Sequence, residues 1–157
     1  MNIDSSSNYP SNALSNFAPH KFIFSYNGFT VDCNSMEGLL QSFKFKNPEM
    51  QKTVCKLVGK EAKFKGKKKN WYVTQTLWWG GNPIRRESKE YQKLLDEAYN
   101  ALFTNTNFKN ALLASENAVF KHSIGKTELN KTVLTVSEFC SRITKLRNRL
   151  KNKIEIF

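Results

Sequence analysis

Cysteine is scarce in this 157-residue chain: Cys33, Cys55 and Cys140 lie far apart and form no C-x-x-C pair. An odd number at long spacing suits reduced thiols in a cytosolic compartment. The two histidines, His20 and His122, are too few and too scattered to suggest a metal site with them. Neither a metal nor another cofactor is therefore expected. No apolar run approaches the ~18–20 residues of a membrane span, so no membrane partner is expected. The opening MNIDSSSNYPSN has no basic start and no apolar core, unlike a signal peptide. The expected location is the cytoplasm. G-x-S-x-G and H-E-x-x-H do not occur. Gly125-Lys126-Thr127 fails as a phosphate loop, because Phe120 stands where the first glycine belongs. Gly59 to Gly66 fails too: six residues intervene, and Lys67-Lys68 follows where Lys-Ser/Thr is needed.

Acidic residues are also few, 13 against 25 Lys plus Arg, for a formal charge of +12. Such a surplus favours polyanions: nucleic acid, phosphorylated ligands or acidic surfaces. Apolar residues make up 39% of the chain and 12 residues are Phe, which is enough for one domain with a real core. Residues 1–12, rich in Ser and Asn, read as a flexible lead-in. Residues 13–157 read as a single compact α+β domain, helix-rich, with a small β-hairpin or sheet.

KFIFSYNGFTVDC, residues 21–33, predicts a hairpin turning at Asn27-Gly28. Ser35 caps a helix that runs to about Phe45. Asn47-Pro48-Glu49 starts another, which breaks at Gly59. GKEAKFKGKKKNW carries six lysines between Lys60 and Lys69 and predicts a short helix ending before Gly66. YVTQTLWWGGNPI predicts two strands around Gly80-Gly81. Residues 87–103 form an amphipathic helix with Tyr91, Leu94, Leu95, Ala98 and Leu102 inward. NFKNALLAS adds a short helix, and AVFKHSI reads as a strand. Thr135 and Glu138 form a capping box for a last helix. That helix buries Val136, Phe139, Ile143, Leu146 and Leu150, with Arg142, Lys145 and Arg149 away from the buried face.

The chemistry lies in SMEGLLQSFKF, residues 35–45. Glu37, Gln41 and Lys44 at i, i+4 and i+7 make one stripe beside the apolar stripe of Met36, Leu40 and Phe43. This edge has a structural reading. Glu37 near a helix N-terminus complements the dipole, worth ~0.3–1 kcal/mol, and Lys44 covers its aromatic neighbours. It also has a chemical reading. A carboxylate suits cleavage of an N-glycosidic bond, whose transition state resembles an oxocarbenium ion. A nearby lysine can bind phosphate or attack an opened sugar aldehyde. Phe17, Trp71, Trp78 and Trp79 could stack on a base.

SNFAPHKF, the hairpin, then SMEGLLQSFKF is similar to the opening of the NADAR (YbiA-like) superfamily. The later order GKEAKFKGKKKNW, the Tyr99–Phe103 helix end and NFKNALLAS fits as well, over roughly residues 13–150. The chain also resembles small early proteins of T-even-type phages with this fold. The resemblance implies an N-glycosidase acting on ADP-ribose-type or ribosyl-phosphate ligands, for example removing ADP-ribose from guanine. It implies Glu37 as the catalytic acid and Lys44 as the amine. Asn16, Phe17 and Gln41 would line the ligand, Ala62-Lys63 and Gly66 would form a phosphate-side loop, and Trp71 would close the site. Gly38 replaces the histidine that usually follows the family's glutamate. Lys121 and His122 stand where an acid is usual, and Gly125 alone matches the family's Trp-Gly motif. The rewritten 117–134 segment leaves an alternative open: a catalytically degenerate member that binds a nucleotide, nucleic acid or a host protein.

Overall fold

The computed structural model describes residues 1–156. Half-buried sequence patterns fold locally as their caps dictate. β1 (Phe22–Tyr26) and β2 (Phe29–Cys33) pair antiparallel, Phe22 opposite Cys33 and Tyr26 opposite Phe29. Asn27 and Gly28 both take positive φ, 49° and 80°, the geometry of a type I′ turn. The strands alternate: Phe22, Phe24, Tyr26, Val31 and Cys33 point inward. α2 (Met36–Ser42) starts where Ser35 Oγ accepts from Gly38 N at 3.0 Å. α3 (Pro48–Cys55) starts on Asn47, whose side chain accepts from Met50 N at 3.1 Å, with Pro48 at the first helical position.

α2 is the central helix, packed against α3, against α4 (Gly59–Lys67) and against α6 (Lys89–Leu102). α6 turns Tyr91, Leu94, Leu95, Ala98 and Leu102 into the core, as its periodicity predicts. β3 (Thr76–Trp79) and β4 (Asn82–Arg85) form the second antiparallel hairpin around Gly80-Gly81. α7 (Thr106–Ala114) precedes the last helix, α8 (Val136–Ile156). The capping box of α8 closes reciprocally: Glu138 N donates to Thr135 Oγ1 at 3.1 Å, and Thr135 N to Glu138 Oε1 at 2.8 Å. The result is a helix-rich α+β domain with two small two-stranded sheets. No helix among the described residues is long and apolar enough to cross a membrane.

Five local expectations need correction. α4 does not stop before Gly66 but runs through it, because Ala62 and Gly66 are the small i, i+4 contacts that seat α4 on α2. The residues expected as a strand from Tyr72 begin as a short helix, α5 (Trp71–Thr74), ended by Gln75 at φ 54°. AVFKHSI is not a strand; Lys121 makes a single parallel bridge to Asn2. Arg142 does not point to solvent but crosses to α6, pairing with Asp96 at 3.0 Å and bonding Gln92. The segment 1–12 is not loose: Ile3 is fully buried, its N–H donates to Lys121 O at 2.8 Å, and residues from Ser11 begin α1 (Ser11–Leu14).

Candidate functional site

One pocket of about 320 Å³ opens beside α2. α2 supplies Glu37, Leu40 and Gln41, and Lys44 follows just past its end. The chain after α1 brings Asn16 and Phe17. α4 turns Lys63 and Lys67 inward, and α5 adds Trp71. Irregular chain at 122–126 and 132–134, with Lys131 at the end of a 3-10 turn (Leu129–Lys131), completes the walls with Phe139 of α8. The polar stripe of α2 is therefore the floor of a pocket rather than a rim.

The floor is tightly positioned. Glu37 N donates to Asn16 O at 2.9 Å, joining α2 to the Asn16-Phe17 segment. Tyr99 OH donates to Asn16 Oδ1 at 2.9 Å and so fixes that side chain. Gln41 Nε2 donates to Glu37 Oε1 at 2.9 Å, while Gln41 Oε1 is buried without a hydrogen-bond partner among the described residues. That oxygen lies where a β-carbon on Gly66 would stand, 1.7 Å from the ideal position. Burial raises the pKa of Glu37, and this outweighs the opposing pull of Gln41, Lys44 and Lys63. Burial brings Lys44 down to about 8; Glu37 opposes the change, and Lys126 and Lys63 add to it. Glu37 and Lys44 feel each other's charge but form no ion pair within 4.0 Å.

The pocket is electropositive. Lys44, Lys63, Lys67, Lys126 and Lys131 line it together with His122, against the single carboxylate of Glu37. Lys131 pairs with Glu128 at 2.9 Å. Among the described residues the other four lysines have no acidic partner within 4.0 Å. A dianionic ligand would supply the missing counter-charge. No cluster of three or more metal-ligating side chains occurs among the described residues.

Both irregular walls are held from behind. His122 Nδ1 donates to Ile3 O at 2.8 Å, and Ser123 N donates to Asn2 Oδ1 at 2.8 Å. The first three residues thus hang the 121–126 wall on the core. Arg86 Nε donates to Thr132 O at 2.8 Å, and Tyr91 OH donates to Val133 O, which together anchor the 131–134 wall. Arg86 is fully buried and grips Glu138 in two-point fashion at 2.6 and 3.1 Å.

Of the expected site residues, Asn16, Phe17, Glu37, Gln41, Lys44, Lys63, Trp71 and Gly125 all face this one pocket. Gly66 does not: it is buried in α4 behind Gln41, and the expected phosphate-side loop is a helix face presenting Lys63 and Lys67. Gly38 also lies outside the lining. A β-carbon there would meet the carbonyls of Leu57, Cys55 and Val54 at 2.7–2.9 Å, so glycine is what lets α2 sit on the end of α3. Lys67, Lys126, Lys131 and the polar edge of Thr132 were missed. Their signal was weak, because a lysine in a basic run or an irregular segment has no period that marks its direction.

Residues 8–148 match the family described as bacteriophage protein GP30.3. The chain belongs to that family. It is 36% identical to the uncharacterized 17.1 kDa protein in the Gp30-rIII intergenic region of Enterobacteria phage T4, over 96% of this chain and 98% of that one. Its fold matches the NMR structure of the E. coli protein YbiA with a TM-score of 0.61, covering 98% of this chain and 85% of the other at 16% identity. The phage-family chain therefore has the YbiA-like α+β fold that the order of its motifs resembles.

Proposed function

We propose that this GP30.3-family protein is an N-glycosidase acting on ADP-ribose-type or ribosyl-phosphate N-glycosides in the host cytoplasm, for example removing ADP-ribose from guanine. The observation that carries this reading is the half-buried Glu37 carboxyl on the floor of a pocket whose other charged groups are cationic. In this reading the lysines hold the phosphates. Glu37 stabilises the positive sugar or takes the proton of the attacking water. The water oxygen bonds to the anomeric carbon, and the C–N bond breaks. Its electron pair leaves with the base, which takes up a proton. Lys44 binds phosphate when protonated and is a candidate nucleophile toward an opened sugar when neutral.

A second reading keeps the pocket and drops the turnover. The 122–126 wall contributes His122 and Lys126 and no acid, so only one carboxylate is available for proton transfer. A nucleotide, nucleic acid or host-protein binder remains consistent with that wall. Thermal unfolding with millimolar ADP-ribose tests the site itself, since a ligand of the folded state raises Tm by mass action. A rise in the wild type that shrinks in Lys44→Ala supports the pocket; no rise at all removes the ADP-ribose site. Release of ADP-ribose from an ADP-ribosylated guanosine then separates enzyme from binder.

A further inference from the structure

A second cleft, about 350 Å³, adjoins the first and shares Ser5 and Phe17 with it. Its chemistry is the opposite of its neighbour's. Among the described residues no Lys, Arg, Asp or Glu lines it. Its surface is aromatic and small: Tyr9, Phe17 and Pro19 with two alanines. Tyr9 is 57% exposed, a large aromatic residue open to solvent at the cleft. His20 is buried there and tied by Nε2 to Ala13 O at 2.7 Å, so it serves the frame. Ser5 and Asn12 are exposed, and among the described residues neither side chain has a hydrogen-bond partner. They can address the polar edge of a ring.

We propose that this cleft is the subsite for the leaving nucleobase, with the base lying on the aromatic surface of Tyr9 and Phe17 and its edge on Ser5 and Asn12. The identity of the ligand rests on the N-glycosidase reading above. The placement follows from continuity and charge. Glu37 N bonds Asn16 O, so the chain bearing Phe17 abuts the residue at the scissile bond. The lysines stand in the first pocket, where phosphates would be held, and the uncharged aromatic cleft meets that pocket at Ser5 and Phe17. A molecule with a dianionic end and a neutral, planar end fits the two volumes together. Aromatic side chains supply base affinity through stacking, to any base, while edge contacts select among them.

The test uses Glu37→Gln to prevent turnover and compares binding of ADP-ribosylated guanosine with that of ADP-ribose. The conjugate is expected to bind about tenfold more tightly, the usual scale of one base stacked on an aromatic side chain. Adding Tyr9→Ala should shrink that gap to about twofold while leaving ADP-ribose affinity unchanged, and Tyr9→Phe should restore it. Tyr9 is exposed enough for the truncation to leave the core intact. Equal affinity for the two ligands, a gap that survives Tyr9→Ala, or no binding of either would overturn the subsite. A gap that depends on Tyr9, together with no hydrolysis by the wild type, would keep the subsite and remove the glycosidase.

Discussion

Glu37 carries a cost that its position explains. Burial favours the neutral acid, so its folded pKa lies above the ordinary 4.5. A group shifted upward contributes stability that is fully present below the unfolded pKa and lost as pH rises through the folded one. Glu37→Gln keeps an acceptor for Gln41 Nε2 and abolishes that loss. The variant is therefore expected to melt at the same temperature as the wild type near pH 4, and above it at pH 7. Melting curves across pH 4–8 check this, and equal Tm values throughout would mean the carboxyl is not strained by burial. Lys44 has the opposite dependence in binding. With its pKa near 8 it is mostly cationic at pH 7 and loses its charge above 8. Affinity for ADP-ribose should fall as pH rises through about 8, and Lys44→Met should be weaker at pH 7 but flat across that range. At this scale the sequence was informative about α2, because a three-residue polar stripe beside an apolar one has only two physical meanings, rim or floor. It was silent about Lys126 and Lys131, whose direction depends on where irregular chain is pinned from other elements.

The helix α4 shows what a run of lysines conceals. Composition alone reads Lys60 to Lys69 as a solvated face, and most of it is exposed. The helical period, however, turns Lys63 and Lys67 into the pocket and leaves Lys65 outside it. Lys63→Ala and Lys67→Ala should each weaken binding of ADP-ribose several-fold, and Lys65→Ala should leave it unchanged, by titration at fixed ionic strength. Gly66 is the second lesson of this element. Ala in its place gains about 1 kcal/mol of helix propensity but drives a β-carbon into Gln41, which costs about 1–3 kcal/mol of overpacking unless Gln41 moves. Gly66→Ala should thus change Tm little while displacing Gln41 from Glu37, seen as lost turnover or ligand affinity. The N-terminal segment was misread for a related reason. Ser- and Asn-rich composition marks low local propensity, yet the backbone of residues 1–3 is satisfied by Val119, Lys121 and His122, far away in the chain. A single buried Ile3 in a polar stretch gives no periodic signal. The hairpin, the caps at Ser35 and Asn47 and the Thr135–Glu138 box were legible because each is a local hydrogen-bonding pattern written in adjacent residues.

The whole molecule couples its two kinds of chain. A core of α2, α6 and α8 with the first hairpin supports a pocket whose walls are partly irregular, and those walls are fastened by long-range polar contacts. The Arg86–Glu138 pair is the deepest of them. Removing one partner strands a buried charge, so Arg86→Ala should cost about 3–5 kcal/mol in chemical denaturation, and it should also loosen the Thr132 wall. The charge of +12 acts at the same scale. If a nucleic acid carries the modified base, affinity for it should fall steeply between low and moderate salt, whereas hydrolysis of a small conjugate should depend on salt far less. The central claim is that Glu37 drives cleavage of an N-glycosidic bond in this pocket. Its most direct test is the rate of ADP-ribose release from ADP-ribosylated guanosine by the wild type and by Glu37→Gln, with folding of both verified by melting. The account predicts release by the wild type and a loss of about 10²–10⁴-fold in the variant, which still binds ADP-ribose. Equal rates for the two proteins, or no release by a wild type that binds the conjugate, would contradict it.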